Sequence, residues 1–135
     1  VAVNYRTGDF VAAAREATDG RGVDVVYDCV GGDSTEAALR AMAWGGRFLV
    51  VGFASGDIPK VPLNLLLLKG CAAIGVFWGE SVRRDPAGHR ANMEPVLYWV
   101  ATGALKARVD QTYPLADAVE ALQIRDDLAR HLRER

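Results

Sequence analysis

A chain of 135 residues, half of them hydrophobic and 24% charged, has the size and balance of one globular domain with a real core. Its formal net charge of −1 offers no basic surface to nucleic acid or to an anionic membrane, so neither is expected as a partner. The longest apolar run, 63–68, is broken by Asn64 and falls far short of the ~20 residues a membrane-spanning helix needs.

The amino end carries no signal-peptide pattern, and cytoplasmic is the default location. The two cysteines, Cys29 and Cys71, stand in no metal-ligand spacing and read as reduced, buried thiols.

Residues 1–5 read as the tail of a strand. Residues 9–18 place Phe10, Val11, Ala14 and Ala17 on one helical face, and Asp19-Gly20-Arg21-Gly22 stops that helix. The apolar, β-branched run 23–29 predicts a fully buried parallel strand ending in Val30-Gly31-Gly32. A helix is expected over 33–42, with Asp33 as N-cap and Glu36 completing a capping box. Gly45-Gly46 reads as a turn and 47–51 as the next strand. Residues 54–62 read as a loop, 63–69 as a short helix and 71–77 as a third strand. The charged stretch 80–88 is expected to be a polar loop, with Arg83, Arg84 and Asp85 in solvent. Met93, Val96, Leu97, Val100 and Ala101 fit helical spacing, predicting a helix over 89–102 that Gly103 ends. Residues 106–113 read as a strand-like connection. Pro114 opens a last helix, expected over 115–131 with Leu115, Ala118, Val119 and Leu122 on one face.

This alternation predicts an α/β fold: a Rossmann-like, doubly wound, mainly parallel sheet, incomplete at both ends. The chain opens in mid-strand without Met and closes in charged helix, so 1–135 reads as one partial nucleotide-binding domain. In open α/β sheets ligands bind outside the carboxyl ends of the strands, where glycine lets backbone approach closely. The glycine-rich GxGxxG turn that holds a pyrophosphate is missing from the sequence, so the residues alone support half of a nucleotide fold.

Several phrases, taken together, are more specific. They are Val3-Asn4-Tyr5-Arg6, Gly20-Arg21-Gly22-Val23-Asp24-Val25-Val26-Tyr27-Asp28-Cys29-Val30-Gly31-Gly32, and Gly45-Gly46-Arg47-Phe48-Leu49-Val50-Val51-Gly52-Phe53-Ala54-Ser55-Gly56. Leu67-Leu68-Lys69-Gly70, Gly75-Val76-Phe77-Trp78-Gly79 and Tyr113-Pro114-Leu115 follow. In this order and spacing they resemble the coenzyme-binding domain of medium-chain dehydrogenase/reductases, in the zinc-free NADPH:quinone oxidoreductase (zeta-crystallin-like) branch. The resemblance reaches to about Leu122. The family's glycine-rich turn and its substrate-side domain would lie before residue 1.

The resemblance implies hydride transfer from NADPH to a quinone or an electron-poor alkene. It places Tyr5 near the adenosine 2′-phosphate, and Cys29, Val30 and Gly31 where a strand end faces the cofactor. It places Gly52, Phe53, Ala54 and Ser55 along the nicotinamide, and Val76, Phe77 and Trp78 over its other side. It supplies no catalytic acid or base from this stretch. Asp28 is expected to be a buried, hydrogen-bonded structural carboxylate, Trp44 and Trp99 packing residues, and His89 and His131 exposed. Arg6 reads as a solvated arginine, and Arg125 and Arg130 miss the family's phosphate-binding position. The apolar, uncharged segment 71–77 is the expected edge of a homodimer. Zinc-type alcohol dehydrogenases and polyketide enoyl reductases are the alternatives among enzymes, and a non-catalytic nucleotide-binding or structural domain is the alternative of another class.

Overall fold

Three parallel strands lie side by side in chain order in the computed structural model: β1 (Val23–Asp28), β2 (Met42–Val50) and β3 (Ala72–Gly75). Parallel neighbours need a crossover connection, and helices supply it here. α2 (Ser34–Ala41) links β1 to β2, and α3 (Asn64–Lys69) links β2 to β3. α1 (Phe10–Glu16) precedes the sheet; Asp9 caps it, its Oδ1 accepting from the amides of Val11 and Ala12 at 3.0 and 2.9 Å. The structure describes residues 1–5, 7–109 and 111–124. Expectations for Arg6, Arg125, Arg130 and His131, and for a helix beyond residue 124, lie outside the described residues.

One face of the sheet makes the core. Phe48 of β2 is buried with Leu39, Met42 and Leu65, and Val23, Val26, Val50, Val61 and Leu66 pack around them. Removing such a side chain from water is worth about 1.5–3 kcal/mol, so this cluster holds α2 and α3 on the sheet. The other face is open. Val25, Tyr27 and Ile74 are 41%, 66% and 40% exposed, so the fully buried strand expected over 23–29 is buried on one face only.

Other departures have local causes. Residues 1–5 and the described part of 106–113 are irregular, with no strand alongside them to complete a ladder among the described residues. β2 starts earlier than expected. Its partners run Val23↔Met42 and then Val25↔Arg47, so residues 43–46 bulge out of register, and Gly45-Gly46 shapes this irregularity instead of a turn between elements. The capping box does not form. Asp33 makes no side-chain cap bond, Glu36 pairs with Arg40 at 2.6 Å, and Ser34 Oγ donates to the Gly31 carbonyl at 3.1 Å. The charged stretch expected as a loop is helix α4 (Trp78–Arg84), in which Glu80 pairs with Arg83 and, at 2.7 Å, with Arg84. Trp44 is 79% and Trp99 49% exposed, so neither is a buried packing residue. Cys29 is exposed and Cys71 half-buried, against the expectation for both.

The chain divides into two units, Val1–Pro86 and Ala87–Arg135. The second contains most of α5 (Pro86–Ala101), which opens on a proline and carries Pro95 inside it. It also contains a 3₁₀ turn (Leu115–Asp117) that runs on as helix to residue 124. Among the described residues, no helix is long and apolar enough to cross a membrane.

Candidate functional site

The register fixes a rim. Asp28 pairs with Val50, and Val50 pairs with Gly75, so the three strands end level at their carboxyl ends. Asp28, Val50 and Gly75 share the core face of the sheet, and the segments leaving them meet beyond it.

The turn after β1 is built on Asp28. Its Oδ1 accepts from the amides of Val30 and Gly31, both at 2.9 Å, and its Oδ2 accepts from Thr35 Oγ1 at 3.0 Å. Thr35 is 3% exposed and belongs to the first turn of α2. Gly31 and Gly32 have φ of +70° and +65°, a region that glycine enters without steric cost. A β-carbon on Gly31 would stand 2.8 Å from Phe53 Cδ1, and one on Gly32 would stand 2.9 Å from Ser55 Oγ. The loop after β2 therefore lies directly on these glycines.

Main-chain bonds tie the two segments together. The Asp28 carbonyl accepts from the amides of Val51 and Gly52 at 2.9 and 3.3 Å. The Cys29 carbonyl accepts from Ala54 N at 3.1 Å, and the Val30 carbonyl from Ser55 N at 2.9 Å. On the other side, Val76 N donates to the Val50 carbonyl at 2.8 Å, carrying the β3 exit to the same rim.

Cys29, Val30, Gly31, Gly52, Phe53, Ala54 and Ser55 thus form one bonded surface, with Val76 attached to its far side. Tyr5 joins it from another direction. It lines a hollow of about 180 Å³ with Phe10, Tyr27, Val30 and Ser34. Phe77 and Trp78, 78% and 64% exposed, stand at the start of α4 and are not packed into the core. A second hollow of about 180 Å³ opens beneath the loop after β2, between Thr35, Phe48, Phe53, Ile58 and Val61, and is almost wholly apolar.

Asp28 bears out the structural role expected of it, though it is half-buried rather than fully buried. His89 is half-buried rather than exposed. Among the described residues, no group of three or more His, Cys, Asp or Glu is placed to hold a metal ion.

Sequence reasoning missed two side chains. Thr35 gave no signal beyond its place in a first helical turn. Lys69, inside the quoted Leu-Leu-Lys-Gly phrase, lies at the opposite end of the sheet, where its Nζ donates to the carbonyls of Leu39, Arg40 and Met42 at 3.4, 2.5 and 2.8 Å. Burial of the ammonium lowers its pKa below the ordinary lysine value; Arg15 and Arg40 act in the same direction, and Cys71 opposes them.

Level parallel strands, helical crossovers and glycine turns at the carboxyl rim define a Rossmann-like nucleotide-binding α/β fold. The chain belongs to the zinc-binding dehydrogenase family, which it matches over residues 1–126. Quinone oxidoreductase-like protein 2 of Rattus norvegicus is 37% identical over 133 residues, covering 98% of this chain and 36% of that protein. The 2-haloacrylate reductase of Burkholderia sp is 31% identical over 122 residues, covering 88% of this chain and 36% of that protein. The crystal structure of Escherichia coli quinone oxidoreductase complexed with NADPH superposes with a TM-score of 0.76 at 31% identity, over 93% of this chain and 39% of that one. The chain spans about a third of the length of the quinone oxidoreductase-like relatives it matches.

Proposed function

We propose that this chain forms the cofactor-facing rim of an NADPH-dependent oxidoreductase that reduces a quinone or an electron-poor alkene. The observation that carries the reading is the bonded surface 29–31 with 52–55, level with Val76 and closed by the β2 exit loop lying on Gly31 and Gly32. Such a floor suits a flat ring held against main chain. The names of the rat and Escherichia coli relatives support a quinone, that of the Burkholderia relative supports an alkene, and the Escherichia coli structure supports NADPH.

The residues present fit the nicotinamide end of the cofactor. Bound there, the reduced nicotinamide supplies a hydride. Cys29, Val30 and Gly31 support the cofactor at the strand end, while Gly52, Phe53, Ala54 and Ser55 run along the ring and its carboxamide. Val76, Phe77 and Trp78 cover its other side and exclude water from the reacting centre. Tyr5 donates to the adenosine 2′-phosphate and favours NADPH over NADH. No side chain of this stretch acts as acid or base. The chemistry is zinc-free, 1–135 acts as one partial coenzyme domain in the cytoplasm, and two copies pair along β3.

Calorimetric titration with NADPH and NADH, and turnover of a small quinone by the natural full-length protein with and without chelator, test these statements. NADPH is expected to bind more tightly, and chelation to leave turnover unchanged. Loss of activity on chelation would transfer the protein to the zinc-dependent alcohol dehydrogenases. Failure to bind either nucleotide would favour a non-catalytic role.

A further inference from the structure

We propose, resting on the NADPH reading of this rim, that Asp28 is its positioning residue: one carboxylate sets the orientation of both the β1 turn and the β2 exit loop. A trans peptide is a rigid plane whose N–H and C=O point in opposite directions. The amide of Val30 and the carbonyl of Cys29 belong to one such plane, and the amide of Gly31 and the carbonyl of Val30 belong to the next. Asp28 Oδ1 holds both N–H groups at 2.9 Å. It thereby aims both carbonyls the other way, where they receive Ala54 N at 3.1 Å and Ser55 N at 2.9 Å. Oδ2 is itself fixed by the buried hydroxyl of Thr35 at 3.0 Å. Asp28 thus controls two residues of the β2 loop that its side chain does not hydrogen-bond. Those four peptide groups form the floor proposed for the cofactor, so their common orientation is the quantity Asp28 regulates.

The role needs an acceptor oxygen rather than a charge. Asn also presents one oxygen with two lone pairs, and Thr35 Oγ1 accepts as readily as it donates. Asp28→Asn is therefore the conservative variant and Asp28→Ala the disruptive one. Amide hydrogen exchange on this chain tests the coupling. In Asp28→Ala, exchange is expected to accelerate at Val30, Gly31, Ala54 and Ser55 together, while α1 keeps its protection. In Asp28→Asn it returns close to wild type.

NADPH affinity is expected to fall roughly tenfold or more in Asp28→Ala, because a floor no longer held in place must be ordered on binding, and to recover in Asp28→Asn. Acceleration confined to Val30 and Gly31 would overturn the proposal, as would unchanged NADPH affinity in Asp28→Ala. If Asp28→Ala does not fold, Thr35→Val decides. It removes only the hydroxyl that fixes Oδ2 and is expected to accelerate the same four amides to a smaller degree; wild-type exchange there would overturn the proposal. A wild-type chain that binds no NADPH would remove the functional reading, and the exchange pattern would still decide the coupling.

Discussion

Lys69 donates from Nζ to the carbonyl of Met42 at 2.8 Å, across the junction where α2 becomes β2. The carbonyl of Leu39, which also accepts from the Met42 amide, and that of Arg40, at the end of α2, share the same ammonium. A residue read from sequence as the end of an apolar helix is the cap of a different one.

Lys69→Met is expected to lower stability by about 1–3 kcal/mol, because carbonyls bonded to a charged donor lose it. Urea denaturation checks this. The pH dependence has a definite sign. A lysine whose pKa is lower in the folded state binds fewer protons there than in the unfolded chain. Wild-type stability should therefore rise with pH between the lowered folded value and the ordinary lysine value. The methionine variant should lose that rise.

Gly20 and Gly22 provide a paired comparison. Both have positive φ, +80° and +89°. A β-carbon on Gly20 would meet nothing within 4 Å, whereas one on Gly22 would stand 2.6 Å from the Ala41 carbonyl and 2.7 Å from Met42 C. Gly20→Ala should cost about 1–2 kcal/mol, the penalty of the left-handed conformation alone. Gly22→Ala should cost distinctly more, since the obstacle is backbone at the α2–β2 junction. Equal losses in denaturation would contradict the crossing.

At the rim, Gly31→Ala should weaken NADPH binding and stability together. Its β-carbon displaces the Phe53 ring, a side chain able to yield. Adding Phe53→Ala should therefore recover part of the stability loss, giving a non-additive double-mutant cycle. Additive effects would mean that the two turns do not bear on each other.

Arg21 and Asp24 form an exposed pair, bonded at 3.0 Å between Nη2 and Oδ2 and through a second contact between Nη1 and Oδ1. Hydrogen bonding from Arg21 lowers the Asp24 pKa below the usual carboxylate range. The associated stability is present above the unfolded value and is lost as pH falls through the folded one. Carbon-detected NMR titration should show Asp24 returning toward the ordinary range in Arg21→Gln.

β3 is an edge of the sheet among the described residues, and all four of its residues are exposed and uncharged. If two copies pair there, light scattering should report a dimer, and Ile74→Lys should convert it to monomer by charging the edge. A wild-type monomer would remove this part of the reading.

Much of this was legible in the chain itself. The run 23–29 and the spacing of Met93, Val96 and Leu97 announced β1 and α5 because burial and helical period leave a regular trace. Gly31 and Gly32 marked the turn after β1 for another reason, because glycine alone enters its positive φ without steric cost. α4 was hidden because its charges read as solvation, although Glu80, Arg83 and Arg84 already stood at helical spacing. Gly45-Gly46 misled because glycine pairs serve bulges as well as turns. Thr35 and Lys69 were not legible as site residues. Thr35 bonds a carboxylate seven residues away, and Lys69 bonds carbonyls 27–30 residues away, separations that no local pattern encodes.

The bulge at 43–46 gives β2 slack. It absorbs extra chain before Arg47, so the strand still arrives beside Val25 in step. Gain or loss of a residue within 43–46 should leave the far end of the sheet where it is. Loss of one residue between Arg47 and Val50 would exchange the strand's two faces and carry Gly52 away from Cys29. Length variation along this strand is therefore expected to disturb the sheet less at its amino end than at its carboxyl end.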